Sequence, residues 1–165
     1  MKLGIALERV RSSVDELTDQ LRVVGERHAV QQDVYHMGHT LSRRMEELSQ
    51  TLEPFLKAYG QDGGATAIDA DAVRAFTERI RRTVSNMTRM SSKTGMFLLR
   101  DLRELFVEAS ACEIDWTIAK QGAMAARDQA LADVATVGID ETKRVTKWLT
   151  TKIKEASPQI LMTAE

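Results

Sequence analysis

The chain has 165 residues, 43% of them hydrophobic and 28% charged, with a formal net charge of -1. That length suits one domain able to bury about two-thirds of the surface its unfolded form exposes. The near-neutral balance argues against a nucleic-acid binder, and the single cysteine, Cys112, excludes an internal disulfide.

The opening run Met1-Lys2-Leu3-Gly4-Ile5 is soon followed by Glu8, Arg9 and Arg11. It lacks the apolar core of a signal peptide, and no stretch is long enough to span a bilayer, so the expected location is the cytoplasm. The first helix, expected over 2–28, carries Leu3, Leu7, Val10, Val14, Leu17, Leu21 and Val24 at alternating spacings of four and three, which is one face of a helix. His28 is the next residue of that seam. Gly25 and the polar run Gln31-Gln32-Asp33 divide it from a second helix with Asp33 as N-cap, although one continuous helix also fits.

The second helix, over 33–59, repeats the alternation with Val34, Gly38, Leu41, Met45, Leu48, Leu52, Phe55 and Tyr59. Pro54 should kink its last turns by removing a backbone donor, and Gly60 with the Gly-rich run to 64 stops it. A shorter helix over 70–88, capped by Asp69, bears Val73, Phe76, Ile80, Val84 and Met87. The third helix, over 95–126, places Leu98, Leu102, Leu105, Ala109, Cys112, Trp116 and Ala119 on one stripe. The fourth, over 128–156, carries Leu131, Val134, Gly138, Glu141, Val145 and Trp148, with Pro158 marking its limit. No run alternates with the period of a strand. The expected fold is therefore all-α: one domain built as a four-helix bundle of two helical hairpins, joined by a long crossover that contains a short extra helix. A bundle with one long connection is the ferritin-like arrangement.

The stretches His28 to Leu41, Glu113-Ile114-Asp115-Trp116, Asp140-Glu141-Thr142 and Lys147-Trp148-Leu149 resemble uncharacterised bacterial ferritin-like four-helix-bundle proteins. What the wider superfamily implies is a carboxylate-bridged di-iron site, with one Glu on each of two helices and Glu-x-x-His on each of the others. Set against that pattern, Glu141 lies near the fourth seam, but Arg144 stands three residues later where a histidine is needed. Asp33 and His36 imitate the spacing, yet His36 and His39 fall opposite the Leu41, Leu48, Leu52 seam and should face solvent. Val14 and Leu17 occupy the places of inward carboxylates on the first helix. The metal-ligand candidates are Glu108, Glu141 and His28, and iron is the cofactor of this alternative. The competing reading makes Glu141 a partly buried carboxylate paired with an Arg or Lys, and His28 a helix-end histidine favoured by the helix dipole.

A second resemblance concerns His39-Thr40-Leu41, which looks like the His-Ser/Thr-Leu-Lys-Gly motif of histidine phosphotransfer bundles. It implies His39 as phosphoacceptor, with Arg43 or Arg44 to neutralise the phosphate. Ser42 and Arg43 stand where the family has Lys and Gly. Arg74, Arg79, Arg81, Arg82, Arg89, Lys93 and Arg100 give the crossover local positive charge, which acids such as Asp101 and Glu104 can balance. Cys112 lies on an apolar stripe and is expected to be inert, and no catalytic set emerges. The expectation is a non-enzymatic bundle with a structural, stress-related or protein-interaction role, without a cofactor, self-associating as a homodimer through an exposed helix face.

Overall fold

The computed structural model describes residues 2–60 and 94–162; the expected short helix over 70–88 falls outside them. The described chain forms α1 (Leu3–Arg27), α2 (Gln32–Thr51), α3 (Glu53–Tyr59), α4 (Thr94–Ala125) and α5 (Gln129–Leu161), with no strand among the described residues. None of these helices is long and apolar enough to cross a membrane.

The seams read from spacing are the core. Leu7, Val10, Val14, Leu17 and Leu21 of α1, Val34 and Met45 of α2, and Leu98, Leu102, Cys112, Trp116 and Ala119 of α4 are fully buried. Cross-helix pairs fix the directions. Gly4 lies against Tyr59 and Gly25 against Gly38, so α1 and α2–α3 are antiparallel. Leu3 meets Gly122 while His28 meets Asp101, which makes α1 and α4 antiparallel. Gly138 lies against Trp116 and Gly95 against Ile160, which sets α5 antiparallel to α4. Arg44 with Glu141, and Asp33 with Lys152, do the same for α2 and α5. Neighbours around the bundle thus all run antiparallel, and α2 and α4 occupy one diagonal. Gly60 sits beside Gly4 at one end, whereas Gly95 and Ile160 meet at the other.

The first two helices are separate, as expected, because His28 N–H closes on Val24 O and Gln31 N–H on His28 O, turning the chain. Three boundaries differ from expectation. The second helix begins at Gln32 with Gln31 as cap, so Asp33 is not the N-cap. Asp33 sits instead in the first turn, where the helix dipole favours a carboxylate, and pairs with Lys152. A break at Leu52 separates α2 from α3, and Pro54 falls in the first turn of α3, where a missing N–H costs little. Pro158 does not end the fourth helix: α5 continues to Leu161, and Met162 N–H bonds Pro158 O. A proline in a last turn forfeits one backbone bond without displacing much helix.

The inward column of α5 is Leu131, Ala135, Gly138, Thr142, Val145 and Leu149. It shares Leu131, Gly138 and Val145 with the expected seam and has Ala135, Thr142 and Leu149 in place of Val134, Glu141 and Trp148. Val134, Glu141 and Trp148 form the half-buried border, because the small side chains fit the close approach to α4. Thr142 is buried without a loose donor, its hydroxyl bonding Gly138 O at 2.7 Å. Tyr59 Oη donates to Asp128 Oδ2 at 2.6 Å, and Asp128 Oδ1 caps α5 by accepting from Leu131 N–H at 3.0 Å. One aspartate thus ties α3 to the α4–α5 turn.

A Cβ on Gly38 would lie 2.7 Å from Leu21 O, whereas one on Gly60 meets nothing within 4 Å. Gly38→Ala should therefore lose about 1–3 kcal/mol in denaturant unfolding, because a backbone oxygen must move. Gly60→Ala should be neutral or slightly stabilising in the same measurement.

Candidate functional site

A row of acidic groups lies on the interface between α1 and α4, where Asp101, Glu108 and Asp115 recur every seven residues. That spacing puts all three on one side of α4. Each meets a different part of α1.

Asp101 is 1% exposed. His28 Nε2 lies 2.9 Å and Arg27 Nη1 2.6 Å from its Oδ2, and Arg100 Nη2 lies 3.0 Å from Oδ1. Burial alone would push this carboxyl up, but the hydrogen bonds from His28, Arg27 and Arg100 outweigh it and hold the group at about 2. Because the carboxylate is ionised and can only accept, His28 Nε2 must carry the proton of their bond. His28 is thus a buried end-of-helix residue of α1, and its polar partner is an aspartate.

Glu108, half-buried, faces Glu16 of α1. Burial first, and then the Glu16 carboxyl beside it, raise Glu108 above 4.5, so two carboxyls share a site that disfavours double ionisation. Asp115 has different partners: Arg9 Nε approaches to 3.3 Å and the Ser13 hydroxyl donates to the same carboxylate oxygen.

Glu141 turns away from this interface. Its oxygens face Arg44 Nε of α2 at 3.4 Å and Arg144 Nε at 3.6 Å, with 16% of the side chain exposed. The three metal-ligand candidates therefore go to three sets of partners: His28 to Asp101, Glu108 to Glu16, Glu141 to two guanidinium groups. Among the described residues no three His, Cys, Asp or Glu side chains stand close enough to hold a metal ion. The donor set does not fit a di-iron centre, since cations occupy the approaches to Glu141 and Asp101 that a metal would need.

His36 is exposed and His39 is 37% exposed, as their phase on α2 implies. His39 Nε2 lies 2.9 Å from Glu26 Oε1 on α1 and packs edge-on against Tyr35. It borders an open groove of about 360 Å³ together with Arg22, Thr40, Ser42, Arg43 and Glu46. Arg22 is held there by Glu46 at 2.6 Å, and the Ser42 hydroxyl is turned to His39 O. Cys112 is fully buried, and burial pushes its thiol up to about 12, so it carries almost no thiolate at neutral pH.

One further feature lies outside. Val107, Ala111, Ile114 and Ile118 are exposed at spacings of four, three and four, forming a second apolar column on the outward side of α4. Val107, Ile114 and Ile118 are each more than half exposed, and so are Ile5 on α1 and Val137 on α5.

Sequence reasoning passed over Asp101 as a partner, the Glu16–Glu108 pair and this column. Their signals were the seven-residue recurrence of acids beside an apolar stripe, and apolar residues on the back of a helix already supplied with a seam. Comparison with protein-family models, curated proteins and solved structures yields no match.

The depressed Asp101 carboxyl stabilises the fold above its unfolded value of 3.8, and that contribution is lost as pH falls toward 2. It is worth on the order of 2 kcal/mol, so Asp101→Asn should lose at least about that much in chemical unfolding at pH 7. Most of the difference from wild type should vanish near pH 2. Glu108 has the opposite sign. Its raised carboxyl favours the fold when protonated, and that contribution is lost as pH rises through and above 4.5. Glu108→Gln should therefore raise Tm at pH 7, with a gain that shrinks as the pH approaches 4.

Proposed function

We propose that this chain is a non-enzymatic, ferritin-like helical bundle whose role is protein–protein contact through the outward face of α4. The observation that carries this reading is the exposed column Val107, Ala111, Ile114 and Ile118. A solvated helix face is normally polar, and contiguous exposed apolar side chains mark interaction surfaces.

Two further features support it. The antiparallel order of neighbours, with Gly60 and Gly95 at opposite ends of the bundle and α2 diagonal to α4, suits a ferritin-like topology. The inward carboxylates and His28 are engaged in ion pairs or in the Glu16–Glu108 contact, which suits a bundle used for its shape rather than for metal chemistry.

The carboxylate-bridged iron alternative is separated by titrating the protein with ferrous iron under anaerobic conditions and measuring bound metal after gel filtration. The expected result is no saturable binding. About two equivalents per chain, lost in Glu141→Ala, would overturn this reading in favour of a di-iron protein.

A further inference from the structure

The outward column of α4 has a property that singles out its occupant. In a two-fold antiparallel packing of α4 against a second α4, centred between Ala111 and Ile114, Val107 of one chain lies opposite Ile118 of the other. Ala111 then lies opposite Ile114. Each pair occurs twice by symmetry, as an isologous interface requires. The small Ala111 receives the bulky Ile114, and alternation of small and large residues is what lets two helices approach closely.

The charges along the same face agree. Arg103 is exposed, and this register places it opposite Gly122 of the other copy, in the last turn of its α4. That turn carries no basic residue of its own, and it is the negative end of the helix dipole. Glu104 falls opposite Gln121 and Arg100 opposite Ala125, so no like charges meet. A parallel in-register pairing would instead set Arg100 and Arg103 against their own copies. Leu3 against Gly122 and Arg9 against Asp115 place Ile5, more than half exposed on α1, at about the level of Ile118.

We propose that a second copy of this chain covers the outward face of α4, forming a two-fold antiparallel homodimer in which Val107 packs on Ile118 and Ala111 on Ile114 of the partner. This deepens the interaction reading above by committing it to one occupant and one register.

The test uses the full chain. Sedimentation from low to high micromolar concentration should give twice the chain mass, and Ile114→Lys with Ile118→Lys should return the monomer while keeping helical circular dichroism and Tm. A second measurement does not rely on that variant. In a Cys112→Ser background, a short bis-maleimide should link Ala111→Cys chains, because the register leaves the two copies of that residue about 4.5 Å apart along the helix axis. Met96→Cys should not link, its copies being about 50 Å apart along the axis. Efficient linking at Met96→Cys overturns the antiparallel register. A monomer at every concentration overturns the dimer. Should that monomer bind an apolar fluorescent dye that the double Lys variant fails to bind, the interaction face stands with a different occupant. If neither binds dye, the interaction reading falls too.

Discussion

Three carboxylates on one side of α4, at positions 101, 108 and 115, decide how this bundle is put together. At 1.5 Å per residue the outer two stand about 21 Å apart, so they act on α1 at two well-separated levels. Asp101 is clasped by Arg27 and His28 at the end of α1, and Asp115 by Arg9 and Ser13 near its beginning. Two such clasps fix both the register of α1 on α4 and the rotation of α4 about its own axis. Apolar seams alone would tolerate slippage, because leucines at successive turns are interchangeable in shape and chemistry. Buried charges are not, since a shift of one turn would leave Asp101 without its partners.

Once the rotation of α4 is fixed, the rest follows. Its inward stripe seats Trp116 over Gly138, where a Cβ would come within 2.4 Å of the ring, and this holds α5 close. Its outward side, carrying Val107, Ile114 and Ile118, is left to solvent. Between the clasps, Glu16 and Glu108 oppose each other and work against the fold at neutral pH. The energetics of the interface are therefore uneven: favourable at both ends, strained in the middle. The same geometry disperses the side chains that a di-metal reading would gather. His28 is used by Asp101, Glu108 looks toward α1, and Glu141 looks toward Arg44 on α2.

Much of the fold was legible in the sequence. The four-three alternation of Leu7, Val10, Val14 and Leu17 or of Leu98, Leu102 and Leu105 reports burial directly, because a helix exposes one column per face. In α5 Leu131, Gly138 and Val145 were placed correctly, but the positions between them were off by one, since Val134, Glu141 and Trp148 keep the same seven-residue spacing as Ala135, Thr142 and Leu149, and side-chain size favoured the wrong set. Small residues won because α4 packs closely there, which a single sequence does not report. Glu141 was rightly suspected of pairing with an arginine, but Arg44 lies on another helix and was beyond local reasoning. Asp101 was seen only as a counter-charge. Its burial depends on α1 ending where it does, a property of two distant segments meeting. The Pro158 boundary failed for a simpler reason: a proline near a helix end interrupts one bond and need not stop the chain.

Asp101 is a structural anchor that works through α1. A double-mutant cycle with Asp101→Asn and Arg27→Met, read by denaturant unfolding at pH 7, measures that link directly. Coupling of at least about 1 kcal/mol is predicted, because each side chain loses its purpose without the other. Additive losses, with coupling near zero, would contradict the claim that this pair sets the register of α1 on α4.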